Sequence, residues 1–238
     1  MRRAAMNTRK PQRGPGRAGW VGLMLGLAVA RAGGTESAEA VLTAWLEAQR
    51  AWKSWSAEFT QTRTLKALTE PLRTPGRLWW VAPDQFRWEL GRPPQTLALR
   101  RTNELLVIYP RLQRAERYPL GAEGDEPWRD ALTLLDAGFP SSRAGLEVRF
   151  RVLAVTEGEG LVTVRLEPRR AGARRVMKEI RLTLRRDSST LVANELVFAD
   201  GSTLRNDFTN AVVNPPIEAG WLDPDLPADF TLVEPAKP

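Results

Sequence analysis

The residue types that carry out most enzyme chemistry are missing from this chain. Its 238 residues include no histidine and no cysteine. Histidine is the commonest general base near neutral pH, cysteine is the commonest thiol nucleophile, and both are major ligands of zinc and copper. The sequence also has no G-x-S-x-G elbow, phosphate-binding glycine loop or dinucleotide fingerprint. Most acid–base, thiol and transition-metal catalysis is therefore excluded.

A site built from carboxylates remains possible in principle. The cluster Glu123, Asp125 and Glu126 and the pair Asp223 and Asp225 could bind a hard cation or share a proton. Acidic residues beside glycine and proline are more typical of surface loops, and no acidic pair shares one face of a strand pattern. We therefore expect no metal, no cofactor and no enzymatic activity. A hydrolase with a carboxylate pair is the alternative that this argument disfavours.

Apolar residues are in surplus in the first half of the chain. The runs 79–81, 97–99 and 105–108 are apolar at every position, so strands there would be apolar on both faces. Either two layers cover such a sheet, or one face lines a cavity for an apolar ligand. The residues by themselves leave both interpretations open.

The first element that could position these residues is a helix. Thr35 and Ser37 are suitable N-caps, and large or apolar residues then recur at spacings of three and four. The pattern predicts an amphipathic helix that ends near Trp52 and needs a large apolar surface to cover. Its inward face would consist of Val41, Leu42, Trp45, Leu46, Gln49 and Trp52.

Period-two alternation follows, and it predicts an antiparallel meander. The predicted strands cover residues 55–60, 77–80, 86–90, 95–100 and 104–109. A second amphipathic helix is predicted at 126–137, with Trp128, Leu132 and Leu135 on one face.

The second half alternates more cleanly between a dry face and a wet face. Strands are predicted at 146–152, 162–166 and 179–185, and Asp200-Gly201 is a hairpin signal between two further strands. The arginine cluster at 169–175 is interpreted as a solvated hairpin tip, with a docking patch as the alternative. We predict an α+β, mainly β fold: an unclosed antiparallel half-barrel of about eleven strands, with helices forming a lid over an apolar cavity.

The N-terminus has the features of a cleavable export signal. Residues 1–32 carry seven basic side chains and no acidic one, and their apolar run of eleven residues is shorter than the ~20 needed to cross a bilayer. Small residues predict cleavage before Gly33, with Ala28-Val29-Ala30 as the competing site. We expect residues 33–238 to act in the periplasm as one monomeric domain without a lipid anchor or disulfides.

Removal of this signal changes the meaning of the charge. The whole chain has 35 basic and 28 acidic residues, a net charge of +7. The signal holds all of the excess, so residues 33–238 carry 28 residues of each sign. The high isoelectric point alone would suggest a nucleic acid or an anionic membrane as a partner, and this partner class loses its main support; no nucleic acid partner is expected.

A series of short motifs runs through the chain. They are Phe59-Thr60-Gln61, Gly76-Arg77-Leu78-Trp79, Pro83-Asp84-Gln85-Phe86-Arg87-Trp88, Ile108-Tyr109-Pro110, Asp200-Gly201-Ser202 with Phe208, and Asn214-Pro215-Pro216-Ile217 before Trp221. In their order and spacing, over nearly all of residues 36–235, the chain resembles the LolA family of periplasmic lipoprotein carriers. The resemblance implies a half-barrel whose cavity receives the acyl chains of lipoproteins. An inner-membrane ABC-type complex would release this cargo, and an outer-membrane receptor or the outer membrane itself would accept it.

The resemblance also implies which residues bind the ligand. Phe86 and Trp88 match the cavity-lining aromatics of the family, and Leu78 and Trp80 occupy a comparable setting on the neighbouring strand. The full expected lining is Phe59, Leu78, Trp80, Phe86, Trp88, Leu97, Leu99, Leu106 and Ile108. The lid or gating candidates are Trp45, Trp52, Arg77, Arg87, Trp128 and Leu132.

One position departs from the family pattern. Family members often have an arginine before the motif proline, where it fastens the lid, and this chain has Ala82. Either Arg87 or Arg77 holds the lid instead, or the chain is a divergent carrier with other cargo or partners. A periplasmic lipid sensor or adaptor with the same half-barrel is the alternative function. It usually needs a second domain, for which we expect no room after residues 230–233.

Overall fold

One open β-sheet dominates the structure, a computed structural model that describes residues 37–120, 132, 137–140, 142–224 and 226–234. The strands are β1 Ser54–Thr64, β2 Leu72–Val81, β3 Gln85–Leu90, β4 Thr96–Arg100, β5 Glu104–Tyr109, β6 Arg114–Pro119, β7 Phe150–Gly158, β8 Leu161–Pro168, β9 Met177–Arg185, β10 Leu191–Phe198, β11 Thr203–Val213 and β12 Thr231–Val233. Their order is β12-β6-β5-β4-β3-β2-β1-β11-β10-β9-β8-β7. All neighbours are antiparallel except β12 and β6. Because β12 and β7 are the two ends of this order, the sheet is unclosed, as the sequence predicted.

The described helices are α1 Ala38–Gln49, α2 Arg143–Arg149 and α3 Ala171–Val176, with a 3₁₀ turn at Pro110–Leu112. Ser37 caps α1 by accepting a hydrogen bond from the backbone N–H of Ala40 at 3.2 Å. The predicted helix is confirmed, although it ends one turn before Trp52. Five of the six residues expected on its inward face are buried: Val41, Leu42, Trp45, Leu46 and Gln49.

The segment that precedes β7 corrects the predicted strand at 146–152. Ser142 caps α2 by accepting a hydrogen bond from the N–H of Gly145 at 3.0 Å, and the strand begins only at Phe150. Leu146 and Phe150 are buried, whereas Val148 is 75% exposed. The two buried residues, Leu146 and Phe150, are four positions apart, which is a helical spacing and not the period of two that a strand requires.

The arginine cluster at 169–175 lies at the exposed tip of a hairpin, as predicted, because it joins the antiparallel neighbours β8 and β9. The joining segment contains the short helix α3, which the sequence pattern did not predict. Of the predicted helix at 126–137, only Leu132 and Ala137 lie among the described residues, and both are helical. The strands β6 and β12 add to those that alternation had located.

The sheet has two differently covered faces, which we call inner and outer. Cross-strand pairs such as Ala57 with Leu78 and Leu78 with Trp88 define the inner face, which joins the buried side of α1 in the main core. The outer face carries a small second core between β4–β6 and the segment after β11, which we call the C-terminal strap (residues 215–234). Each face of the sheet thus has its own apolar cover.

Candidate functional site

The inner face carries a group of aromatic rings, which we call the inner aromatic cluster. Phe59 and Trp88 lie with ring centroids 4.7 Å apart, Trp55 and Phe208 lie 5.3 Å apart, and Phe59 and Phe208 lie 6.3 Å apart. Phe139, from the segment between β6 and α2, stacks on Trp80 at 4.9 Å and meets the edge of Trp55 at 5.2 Å. These contacts link β1, β2, β3 and β11 through one aromatic surface.

The structure brings together five of the nine residues expected to line the cavity. Phe59, Leu78, Trp80 and Phe86 are buried in the main core, and Trp88 is half-buried against it. Strand pairing explains their common direction, because Trp80 lies opposite Phe86 and Leu78 lies opposite Trp88. All five therefore point to the inner face.

The other four expected lining residues lie on the outer face. Leu97, Leu99, Leu106 and Ile108 pack against the strap residues Trp221, Leu222, Leu226 and Phe230. The register shows why, since Trp88 pairs with Ala98, and Ala98 pairs with Val107. Ala98, Leu105 and Val107 occupy the inner positions instead, so the expected grouping of all nine residues in one lining was wrong.

The lid candidates on α1 lie over the inner face. Trp45 is completely buried, and its indole Nε1–H has no hydrogen-bond partner within the described part of the chain. Trp52 and Leu132 are half-buried and pack against the main core. Trp128 lies outside the described residues.

A polar contact holds the end of α1 in place. The Gln49 side chain donates a hydrogen bond from Nε2 to the backbone carbonyl of Gly138 at 3.1 Å. Gln49 is 7% exposed, so this bond is sheltered from water. It connects the covering helix to the segment that carries Phe139.

The two arginines proposed as lid fasteners lie on the outer face. Arg87 donates a hydrogen bond from Nη1 to the Trp221 carbonyl at 2.8 Å and forms an ion pair with Glu89 at 2.7 Å. Arg77 is half-exposed and approaches Glu58 at 3.5 Å. Arg87 therefore fastens the C-terminal strap, and neither contact reaches α1.

The strap is held by further arginine contacts. Arg101 donates hydrogen bonds from Nη2 to the Leu222 carbonyl and to Asp223 Oδ1, each at 2.8 Å. The N–H of Thr231 donates to the Gln113 carbonyl at 2.8 Å at the start of β12. A pocket of about 330 Å³ remains between the strap and β2–β3, lined in part by Trp79, Arg87 and Trp221.

A row of buried amides crosses the inner face, and sequence reasoning missed it. Gln61 Nε2 donates to Asn206 Oδ1 at 3.1 Å, and Asn206 Nδ2 donates to Asn194 Oδ1 at 2.9 Å. Asn206 and Asn194 are 0% and 1% exposed. The only available signal was the presence of asparagine at inward positions of two alternating strands.

The charged groups of the described residues form ion pairs without a catalytic arrangement. Arg165 lies 2.6 Å from Glu179 and, with Arg181, lowers the pKa of Glu179 to about 2. No group of three or more acidic, histidine or cysteine residues among the described residues could hold a metal ion. Asp223 is largely exposed and pairs with Arg101, as expected for a surface loop, whereas Glu123, Asp125, Glu126 and Asp225 lie outside the described residues.

The described residues therefore form an open, mostly antiparallel sheet whose inner face is apolar and aromatic and packs against helix α1. No helix in the described part of the chain has the length and apolar character required to span a bilayer. The family described as "Outer membrane lipoprotein carrier protein LolA" matches residues 50–221. The chain therefore belongs to the LolA family.

Several solved structures are similar to this chain. An uncharacterized conserved protein from Thermus thermophilus is 11% identical, with 83% of this chain and 99% of that chain covered and a TM-score of 0.49. A putative outer membrane lipoprotein-sorting protein domain from Vibrio parahaemolyticus is 13% identical, covering 79% and 97%, with a TM-score of 0.42. MucB in its complex with MucA from Pseudomonas aeruginosa is 19% identical, covering 82% and 63%, with a TM-score of 0.41. No curated protein sequence matches the chain.

Proposed function

We propose that this protein carries lipoproteins by binding their acyl chains between α1 and the inner face of the sheet. The observation that supports the proposal is the inner aromatic cluster, which extends over four strands and shares the main core with α1. Acyl chains offer no hydrogen bonds, so a broad apolar surface is what they require. The bound chains are transferred unchanged, and no bond is made or broken.

Release is possible because closure of α1 competes with the ligand for the same surface. Burial of one acyl chain of about sixteen carbons, at about 0.8 kcal/mol per methylene, is worth on the order of 12 kcal/mol before opposing terms. α1 buries Val41, Leu42, Trp45 and Leu46. At about 1.5–3 kcal/mol each, these side chains are worth on the order of 6–12 kcal/mol. The two terms nearly balance, which a shuttle needs in order to load and unload.

The Trp45 indole supports a site for the polar end of the acyl chains. Its Nε1–H is buried without a partner in the described chain, which costs about 1–3 kcal/mol. An ester or amide carbonyl of an acylated ligand would accept this hydrogen bond. The ligand would then satisfy a donor that the closed protein leaves unused.

The wider route is part of the proposal. Residues 1–32 would export the chain to the periplasm and be removed there. An inner-membrane ABC-type complex would load the carrier with an acylated lipoprotein, and an outer-membrane receptor or the outer membrane itself would receive it. The mass of the protein isolated from the periplasm tests the first step, since cleavage before Gly33 removes a defined segment.

Trp79 and Trp88 provide a matched pair for testing the ligand site. Both are half-buried tryptophans, they occupy neighbouring strands, and they point to opposite faces of the sheet. A photoreactive benzophenone side chain is placed at position 88 in one variant and at position 79 in the other. Each variant is expressed in cells whose lipoproteins carry radiolabelled palmitate and is then irradiated.

We expect labelled lipoprotein to crosslink to position 88 and not to position 79. Crosslinking at position 79 alone would place the ligand in the pocket under the strap and contradict our assignment. Equal labelling at both positions, or none under conditions in which both variants remain folded by circular dichroism, would also contradict it. Native mass spectrometry of the unmodified protein should show the same cargo bound without a crosslink.

The lid is tested through Gln49. Replacement by alanine removes the hydrogen bond to the Gly138 carbonyl and leaves the apolar face of α1 unchanged. We expect a fluorescent fatty acid to exchange about fivefold faster from Gln49→Ala, since one sheltered hydrogen bond is worth about 1 kcal/mol. An unchanged exchange rate would show that α1 does not open to admit the ligand.

A further inference from the structure

The two short helices α2 and α3 meet at one end of the β7–β8 hairpin. Phe150 pairs with Pro168, and the N–H of Arg169 donates to the Arg149 carbonyl at 2.9 Å. Arg169 Nε also donates to the Glu147 carbonyl, at 2.6 Å. We call this region, residues 143–151 and 169–178, the arginine end.

The arginine end is strongly basic, although residues 33–238 are neutral as a whole. One acidic residue, Glu147, accompanies eight basic ones: Arg143, Arg149, Arg151, Arg169, Arg170, Arg174, Arg175 and Lys178. Two carboxylates from outside the region also reach it, as Glu39 pairs with Arg143 at 2.9 Å and Glu167 pairs with Arg151 at 2.7 Å. The basic residues still outnumber these three carboxylates, so a local positive field remains.

Part of this charge is held in place by carbonyl groups and keeps its full sign. Arg169 donates to the carbonyls of Glu147 and Phe150, and Arg174 donates to those of Pro168 and Arg169. Backbone carbonyls orient a guanidinium group without neutralising it. Arg151, Arg169 and Arg174 line a pocket of about 480 Å³ together with Glu167. This space is large enough for a phosphate-bearing headgroup, which arginine forks bind well.

Aliphatic side chains are exposed beside these arginines. Val148 on α2 is 75% exposed, Val176 on α3 is 47% exposed, and Leu153 on β7 is 40% exposed. They stand singly on three separate elements and do not form one continuous apolar patch. Dispersed aliphatic tips among basic side chains suit the boundary between headgroups and acyl chains better than the buried centre of a protein interface.

We propose that the arginine end docks this protein on bilayers that contain anionic phospholipids. The guanidinium groups bind lipid phosphates, and Val148, Val176 and Leu153 contact the upper part of the acyl layer. The surface is separate from the inner aromatic cluster, so docking does not occupy the cargo site. A carrier that docks in this way would present its cargo close to the membrane that gives or receives it.

The experiment measures how the full chain partitions onto sedimented vesicles. One set of vesicles contains about 30 mol% phosphatidylglycerol in phosphatidylcholine, which gives the bilayer a negative surface potential. The second set is phosphatidylcholine alone. The variant Arg170→Gln/Arg175→Gln removes two exposed charges of the arginine end. The control variant Arg63→Gln/Arg73→Gln removes two exposed charges from the β1–β2 hairpin.

We expect the Arg170/Arg175 variant to bind anionic vesicles about 25-fold more weakly, because each arginine near such a surface contributes roughly fivefold. The control variant should change binding less than about threefold, and both differences should shrink as salt is raised. Because all proteins carry the same residues 1–32, the basic signal cannot produce a difference between the variants. Equal losses in the two variants would overturn the proposal.

A second variant separates a bilayer from an acidic protein as the partner. Val148→Ser keeps every charge and removes an exposed aliphatic tip, so it should weaken binding to anionic vesicles about two- to fivefold. No vesicle binding by the parent protein would overturn the proposal and favour an acidic protein partner. Binding of a fluorescent fatty acid in solution, without vesicles, should be unchanged in all of these variants, so a failure of docking is distinguishable from a failure of the carrier function.

Discussion

The substitution Gly76→Ala adds one Cβ atom to the inner face and tests how closely the Phe59 ring packs over position 76. Gly76 on β2 lies opposite Phe59 on β1, and the Phe59 ring covers the glycine. A Cβ at position 76 would lie 2.2 Å from Phe59 Cζ and 2.6 Å from the Glu89 carbonyl oxygen. Ordinary contacts between such atoms are above 3.4 Å, so either the ring or the sheet must move.

The neighbours of Phe59 set the magnitude. Its ring is confined by Trp88 at 4.7 Å and Phe208 at 6.3 Å, and the Glu89 oxygen belongs to the backbone of the sheet. Overpacking of a well-packed core usually costs about 1–3 kcal/mol. Because both obstacles are restrained, we expect Gly76→Ala to destabilise the protein by about 3 kcal/mol. In a Phe59→Leu background the ring is absent and the cost should fall by at least about 1 kcal/mol, with a remainder from the Glu89 oxygen.

Urea unfolding followed by tryptophan fluorescence measures all four proteins of this cycle, and equal m-values are needed for the comparison. Gly158→Ala is the matched control, because a Cβ there has no atom within 4 Å. We expect the control to lie within about 0.5 kcal/mol of the parent protein. A cost below about 0.5 kcal/mol for Gly76→Ala, or strict additivity with Phe59→Leu, would refute the packing of Phe59 over Gly76.

Three further predictions concern the polar contacts. Arg87→Ala removes the hydrogen bond to the Trp221 carbonyl, so amide exchange in the strap should accelerate about fivefold, while an equal effect of Arg77→Ala would contradict this role. Glu179→Gln should cost about 2 kcal/mol at pH 7, measured by urea unfolding. The pKa of the Glu179 carboxylate is lowered to about 2 in the folded protein. Its contribution to the free energy of unfolding is therefore complete above its ordinary pKa near 4.5 and is lost as the pH falls toward 2. A stability difference between Glu179→Gln and the parent protein that does not depend on pH would contradict this assignment. Asn206→Leu breaks the buried amide row and should cost about 2–3 kcal/mol by the same assay, and a loss below about 0.5 kcal/mol would show that the row is dispensable.

Alternation predicted β1 to β5 because each strand has apolar residues and clear turn signals at its ends. It did not predict which face of β4 and β5 is the inner one. Both faces of Leu97–Leu99 and Leu105–Ile108 are apolar, and a shift of one residue exchanges the two faces completely. The pairing of Trp88 with Ala98 places Ala98, and not Leu97 or Leu99, on the inner face, and that pairing depends on the register of the whole meander.

A weak signal for the outer cover was present in the tail. Trp221, Leu222 and Phe230 are large apolar residues in a proline-rich segment without strand or helix periodicity. They require an apolar surface elsewhere in the molecule, and the outer side of β4–β5 provides it. That demand indicates an apolar cover on a second face of the sheet, whereas the register decides which residues lie on each face.

The net charge was a poor guide to local charge. Neutrality of residues 33–238 argued against anionic partners, yet the fold brings 143–151 and 169–178 to one end of a hairpin. The arginine cluster at 169–175 is visible along the chain, but the basic residues of 143–151 are distant from it in sequence. Their combined field arises from the pairing of Phe150 with Pro168, which brings the two segments together.

The C-terminal strap also has a consequence for the order of synthesis. β4 and β5 precede residues 215–234 in the chain, so they emerge first both from the ribosome and on the far side of an export channel. Until the strap arrives, Leu99, Leu106 and Ile108 have no cover on the outer face. The emerging chain therefore passes through a stage in which its meander is apolar on both sides, and a holding chaperone would find an exposed apolar surface there.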